Sequence, residues 1–263
     1  MRLDVGGSEV YAYTGTRPVD PAKPAVVFVH GAASDHSVWL LQSRYFAHHG
    51  KGVLAVDLPG HGRSAGPALG SVDAIAAWLP AVLDAAGLAQ AALVGHSLGA
   101  LAVLACAARH PARVAKVALL GPAVPMEVSE ALLDAAKAND HVAYELINGW
   151  STSAGKQLGG NTVPGMWLLG SAIRLMERTA PGVLHADLVA CNAWTGGLEA
   201  AAAVRCPSLV VIGARDIMAP PRAAKGLVEA LAGALVVTLP ATGHAMMAEQ
   251  PDAVLDALIR FLR

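Results

Sequence analysis

Apolar residues gather in seven short runs: Val10–Tyr13, Ala25–Val29, Gly52–Val56, Ala91–Val94, Val114–Leu120, Ser208–Ile212 and Ala234–Leu239. From Ala25 onward most are near-continuous Val, Ile, Leu and Ala, not alternating, which suits strands buried on both faces of a parallel sheet. Between them the apolar positions recur at helical spacing around His36–His49, Val72–Ala86, Leu98–Arg109, Pro221–Ala232 and Pro251–Leu262. The last two carry proline at or near the first turn, where its missing N–H costs nothing. Strand–helix alternation of this kind predicts an α/β fold with a doubly wound, mostly parallel central sheet.

The rhythm lapses once. From about Ala123 to Val204 no strong strand run occurs, only helix-like pieces such as "SEALLDAAKAND", "GMWLLGSAIRLMERT" and "HADLVACNAW". Three of the five tryptophans, Trp150, Trp167 and Trp194, fall in this stretch. An insertion between two strands of one sheet is more economical than a second domain. The expected organisation is therefore a core of residues 1–122 and 200–263, with a helical cap over 123–199.

At 54% hydrophobic and 15% charged residues, the chain is apolar enough to raise the question of membrane spans. Much of that content is alanine, in segments broken by Gly, Pro and charges, and no run has the length and large aliphatics a span requires. The opening "MRLDVGGSEVYAY" lacks the apolar core of a signal peptide. Cys106, Cys191 and Cys206 are an odd number without close spacing, which suits free thiols better than a disulfide frame. A net charge of −1 with no basic run gives no reason to expect nucleic acid. The expectation is a cytoplasmic protein acting on a small molecule, without membrane attachment; oligomeric state is not legible.

In open α/β sheets ligands bind beyond the carboxyl ends of the strands. Polar residues follow five predicted strand ends: "HGAAS" after Val29, "DLPGHGRS" after Val56, "GHSLG" after Val94, "GARD" after Ile212 and "PATGHAMMAEQP" after Leu239. Serine, aspartate and histidine thus appear in that order as Ser97, Asp216 and His244. Gly-x-Ser-x-Gly alone is a weak signal, but here a strand precedes it, a helix follows, and Gly95 and Gly99 suit a strained elbow.

On these motifs, in this order and over nearly its whole length, the chain resembles the α/β-hydrolase fold superfamily, as a serine-nucleophile, esterase-like member. The resemblance implies a Ser97–His244–Asp216 triad, with His244 as base and Asp216 orienting its ring. It also implies an oxyanion hole built from the backbone N–H groups of Leu98 and Ala32. The function it implies is hydrolysis of a small or medium, largely neutral carboxylic ester through an acyl-enzyme, with no metal or organic cofactor. Carbon–carbon bond hydrolysis, acyl transfer or lyase chemistry on the same triad, or a ligand receptor with vestigial hydrolysis, are the alternatives.

Asp57 also follows a strand, but it precedes the serine, whereas the family's acid follows it. His30 and His96 read as packing groups within their motifs, and His61 as a turn residue. "GHGRSA" (residues 60–65) fits a dinucleotide fingerprint, yet Gly66 and Pro67 follow where a helix should open, so it reads as a turn. Wall residues for a substrate pocket are sought in the insertion at Trp150 and Trp167, and at the strand ends at Val124, Met218 and Ala245.

Overall fold

The computed structural model describes residues 1–160, 162–163 and 165–263; Asn161 and Pro164 of the predicted insertion lie outside them. One sheet is built from β1 (Arg2–Val5), β2 (Ser8–Tyr13), β3 (Ala25–Val29), β4 (Gly52–Val56), β5 (Ala91–His96), β6 (Val114–Leu120), β7 (Ser208–Gly213) and β8 (Leu235–Leu239). Its spatial order is β1-β2-β4-β3-β5-β6-β7-β8. The β1–β2 and β2–β4 pairs are antiparallel and all others parallel. Only β1 escapes the sequence reading: four residues with alternating exposure are too short a run to signal a strand.

The helices are α1 (Leu40–His48), α2 (Val72–Ala85), α3 (Leu98–Arg109), α4 (Glu130–Lys137), α5 (Val142–Ser151), α6 (Ala154–Gln157), α7 (Leu168–Met176), α8 (Val183–Ala193), α9 (Gly197–Ala203), α10 (Lys225–Ala230), α11 (Met246–Glu249) and α12 (Pro251–Leu262). Two of the predicted helices begin as 3-10 turns, at His36–Trp39 and Pro221–Ala224. Asp35 caps the first of these by accepting the Ser37 N–H.

Period-two alternation splits the strands between two cores. Val27 and Val29 of β3 join Leu79 and Leu101 in the larger one, while Val26 and Phe28 join Phe46, Leu258 and Phe261 on the opposite face. Every residue of α3 from Leu98 to Ala107 is buried, because its Ala-rich surface lets sheet and neighbouring helices approach closely. Between β6 and β7 the described residues form α4 to α9 and no strand. A smaller apolar cluster joins α4, α5, α7 and α8, and it also takes in Ala33 from the loop after β3. The expected boundary at Glu199 falls inside α9, which packs on α3 and α10.

Register brings the loops that carry the candidate residues to one edge. Val29 pairs with Gly95, His96 with Leu120, and Leu120 with Val211. The turns after β3, β5, β6 and β7 therefore open side by side. Among the described residues no helix is long and apolar enough to cross a membrane.

Candidate active site

Ser97 is the single residue between β5 and α3, at φ 54° and ψ −120°. A positive φ strains any residue with a Cβ, by about 1–3 kcal/mol, and persists only where its surroundings fix it. Here the neighbouring glycines do so. A side chain on Gly95 would run into the Gly99 carbonyl, and one on Gly99 into the carbonyls of Val29 and His30. The Ser97 N–H also donates to the Leu120 carbonyl at 3.0 Å, tying the elbow to β6.

His244 and Asp216 come from the loops after β8 and β7. His244 Nδ1 lies 2.7 Å from Asp216 Oδ2. The other carboxylate oxygen accepts the N–H groups of Met218 at 2.9 Å and Ala219 at 2.8 Å. Both side chains are almost wholly buried. His244 Nε2 has no hydrogen-bond partner among the described residues, and His244, His96 and Ser97 line one cavity of about 1080 Å³. His96 donates from Nε2 to the His244 carbonyl at 2.9 Å. Burial, and then the proximity of His244, push its pKa down to about 3, so it stays neutral.

The loop after β3 runs across the elbow: a Cβ on Gly31 would stand 3.1 Å from that of Ser97. The next residue, Ala32, lines the same cavity. Leu98 opens α3, so its N–H is one of the donors a helix start leaves without an intrahelical partner. Of the residues named from sequence as pocket walls, Trp150, Met218 and Ala245 line the cavity. Two others do not. Val124 packs into the larger core and against Gly197 instead. Trp167 is 73% exposed, with its ring laid over Gly170. Sequence could not have told the two insertion tryptophans apart, since each sits in a partly apolar, helix-like segment.

Asp57 is turned away from this group. Its carboxylate accepts the His36 N–H and ring Nδ1, both at 2.7 Å, and the Arg63 N–H at 2.9 Å. Burial opposes its charge, but these bonds outweigh it and hold the pKa below the usual carboxylate value. Gly62, at φ 51°, has no room for a side chain because the carboxylate fills that space. Within "GHGRSA", Gly62 thus closes on an aspartate, while Gly60 packs against the Ala68 backbone. Asp35, His36 and Asp57 form the one compact group of possible metal-binding side chains among the described residues, yet their oxygens are already engaged by these bonds and the Asp35 cap.

Two further buried carboxylates were not legible as site residues. Asp187 of α8 meets His61 Nε2 at 2.8 Å and the Ala33 N–H at 3.0 Å, both on Oδ2. Glu249 of α11 accepts the Gly243 N–H at 3.1 Å, the Ser153 N–H at 3.1 Å and the Ser153 hydroxyl at 2.5 Å. The first lies beside the loop over Ser97 and the second behind His244. An available signal was the placement of Asp187 on the buried stripe of Val183, Leu184, Leu188 and Cys191. Cys191 also reaches the cavity, but burial, and then the Asp187 charge, push its thiol pKa far up, so it is no thiolate near neutral pH.

The sheet order, the elbow and the loops at one edge agree with an independent finding: the family model described as the alpha/beta hydrolase fold matches residues 24–251. The chain belongs to the alpha/beta hydrolase fold family. A candidate carbamate hydrolase of Klebsiella pneumoniae is 28% identical over 249 residues, covering 88% of each chain. A non-heme chloroperoxidase of Streptomyces lividans is 29% identical over 258 residues, covering 90% of this chain and 91% of its own. Among solved structures, the enol-lactonase of Burkholderia xenovorans superposes with a TM-score of 0.87 at 24% identity, over 100% of this chain and 99% of its own. That likeness is one of fold, and within the alpha/beta hydrolase fold family the chemistry has to be argued from the site.

Proposed function

We propose that this alpha/beta hydrolase is a serine esterase that cleaves a largely neutral carboxylic ester through an acyl-enzyme. The observation that carries this reading is a strained serine opening on the same cavity as a histidine whose other ring nitrogen is held 2.7 Å from a buried aspartate. Ser97 Oγ attacks the ester carbonyl while His244 Nε2 takes its proton. Asp216 fixes the Nδ1–H tautomer and stabilises the imidazolium. The tetrahedral oxyanion is met by the N–H groups of Ala32 and Leu98. On collapse, His244 returns the proton to the departing alcohol, leaving Ser97 acylated. Water, activated by the same histidine, then releases the carboxylic acid and restores the serine.

Helices α4 to α8 serve as a cap that closes the acyl side of the cavity. Its walls include Met126, Leu132, Ile147, Trp150, Met176 and Leu188. The charged residues that reach the cavity, Glu127, Arg174, Arg178 and Asp252, are themselves exposed, so their charges belong to its rim. An apolar interior with charges at the rim favours a neutral acyl group. The volume of about 1080 Å³ stands just above the roughly 300–1,000 Å³ typical of small-molecule sites, enough for a medium-length chain. A panel of p-nitrophenyl esters of graded acyl length tests the proposal. Multiple turnovers with an optimum at intermediate length are expected; at most a single stoichiometric burst on every ester would refute hydrolysis as the function.

A further inference from the structure

Ala33, the residue after Ala32, is gripped by the cap on every group it has. It is fully buried at φ 47°, and such a conformation persists for an alanine only where its surroundings impose it. Its methyl group belongs to the apolar cluster of Leu132, Ala136, Met176, Leu184 and Leu188. Its N–H donates to Asp187 Oδ2 at 3.0 Å, and its carbonyl accepts the Thr179 hydroxyl at 3.4 Å. A loop that would supply an oxyanion donor is thus built into the core of the cap.

Asp187 is itself held. His61 Nε2 approaches the same oxygen at 2.8 Å, while His61 Nδ1 faces the Pro59 carbonyl at 3.0 Å. A carboxylate and a carbonyl only accept, so His61 satisfies both by carrying two ring protons. Burial alone would lower its pKa, but the hydrogen bond to Asp187 and that group's charge outweigh burial and raise it. The remaining titratable neighbours fit this state. Asp57 adds a favourable charge, and His30, its ring centre 5.0 Å away, is pushed down to about 4 by burial and then by His61, and stays neutral.

We propose that Asp187 is a positioning residue for the oxyanion hole: its carboxylate, fixed by His61, holds the Ala33 N–H and thereby the loop that aims the Ala32 N–H at the oxyanion. The cap is then part of the catalytic frame as well as a wall of the pocket. This rests on the serine-esterase reading above. Deleting an oxyanion donor costs about 10²–10³ in kcat, so loosening one should cost less, about ten- to a hundredfold.

The test compares Asp187→Ala, Asp187→Asn and Thr179→Val on p-nitrophenyl butyrate, with rates expressed per reactive serine counted by fluorophosphonate titration. A trifluoromethyl ketone, which forms a tetrahedral adduct with the serine, reads the hole directly. Asp187→Ala should lower kcat about 30-fold and weaken the ketone by a matching factor, with KM within about threefold of wild type. Asp187→Asn should recover much of that loss, because its amide oxygen can still accept the Ala33 N–H. Should Asp187→Ala not fold, Thr179→Val decides, with a parallel severalfold loss in kcat and ketone affinity. The proposal is overturned if kcat per titrated serine and ketone affinity stay within about twofold of wild type, or if only KM moves. Failure of the probe to label wild-type Ser97 at all would instead sink the esterase reading, and this inference with it.

Discussion

His244–Asp216 and His61–Asp187 are both buried imidazole–carboxylate pairs, at 2.7 and 2.8 Å. They differ in what the second ring nitrogen meets. In His61 it faces the Pro59 carbonyl, so both nitrogens are committed and the ring has nowhere to pass a proton. In His244 it has no partner among the described residues, and the residue lines the cavity. The carboxylates differ as well. Asp216 is held by two N–H groups of its own turn, so its loop is self-contained. Asp187 spends one oxygen on His61 and on Ala33, groups 126 and 154 residues away, and joins two parts of the chain. On the proposed mechanism the same two side chains make a base in one place and a strut in the other.

The largest expected effect falls on Ser97, the nucleophile of the proposed mechanism. Ser97→Ala should reduce ester turnover by about a million-fold, as in other serine triads, with folding unchanged by circular dichroism. Residual activity within a hundredfold of wild type would break the assignment. Asp216→Asn should cost about ten-thousand-fold in kcat, because His244 would lose the anion that fixes its tautomer. Asp57→Asn, whose partner is His36, should act mainly through stability, and a reversed ranking in kcat would move the acid to the wrong loop.

The strut should show itself through pH. The raised pKa of His61 means its paired state is fully present below the ordinary value near 6.5 and is lost as pH rises through the higher folded value. Thermal melts of wild type and His61→Gln should therefore differ most near pH 6 and converge as the solution becomes alkaline. A gap that widens with pH would mean that His61 is buried neutral.

The smallest effect compares the two tryptophans. Trp150→Ala should shift the preference between short and long acyl groups by tens of fold, since methylene-scale pocket changes are worth about 1–3 kcal/mol. Trp167→Ala, on an exposed ring, should leave that preference within about twofold, read as ratios of kcat/KM across the ester panel.

The sequence displayed some of this and concealed the rest for identifiable reasons. β3 and β4 are strands with every residue buried, so their runs are unbroken and their ends could be read to the residue. Ser97 and Asp216 each follow a buried run within a few residues, and His244 follows the more exposed β8, where local motif and strand end coincide. β1 alternates over only four residues and is quiet for that reason. Trp150 and Trp167 could not be separated because helix-face orientation in the insertion depends on packing that no local period encodes. Asp187 and Glu249 carry no local motif, and their roles show only once their distant partners, His61 and Ala33 for one and Ser153 for the other, are brought to them.

Rapid acid quench during turnover of p-nitrophenyl butyrate, followed by peptide mass spectrometry, tests the central claim most directly. The account predicts a butyryl group on the peptide containing Ser97, accumulating to a larger fraction when deacylation is slowed in Asp216→Asn, and absent from Ser97→Ala. Turnover that continues in Ser97→Ala, or an acyl group found on another side chain such as Cys191, would contradict it.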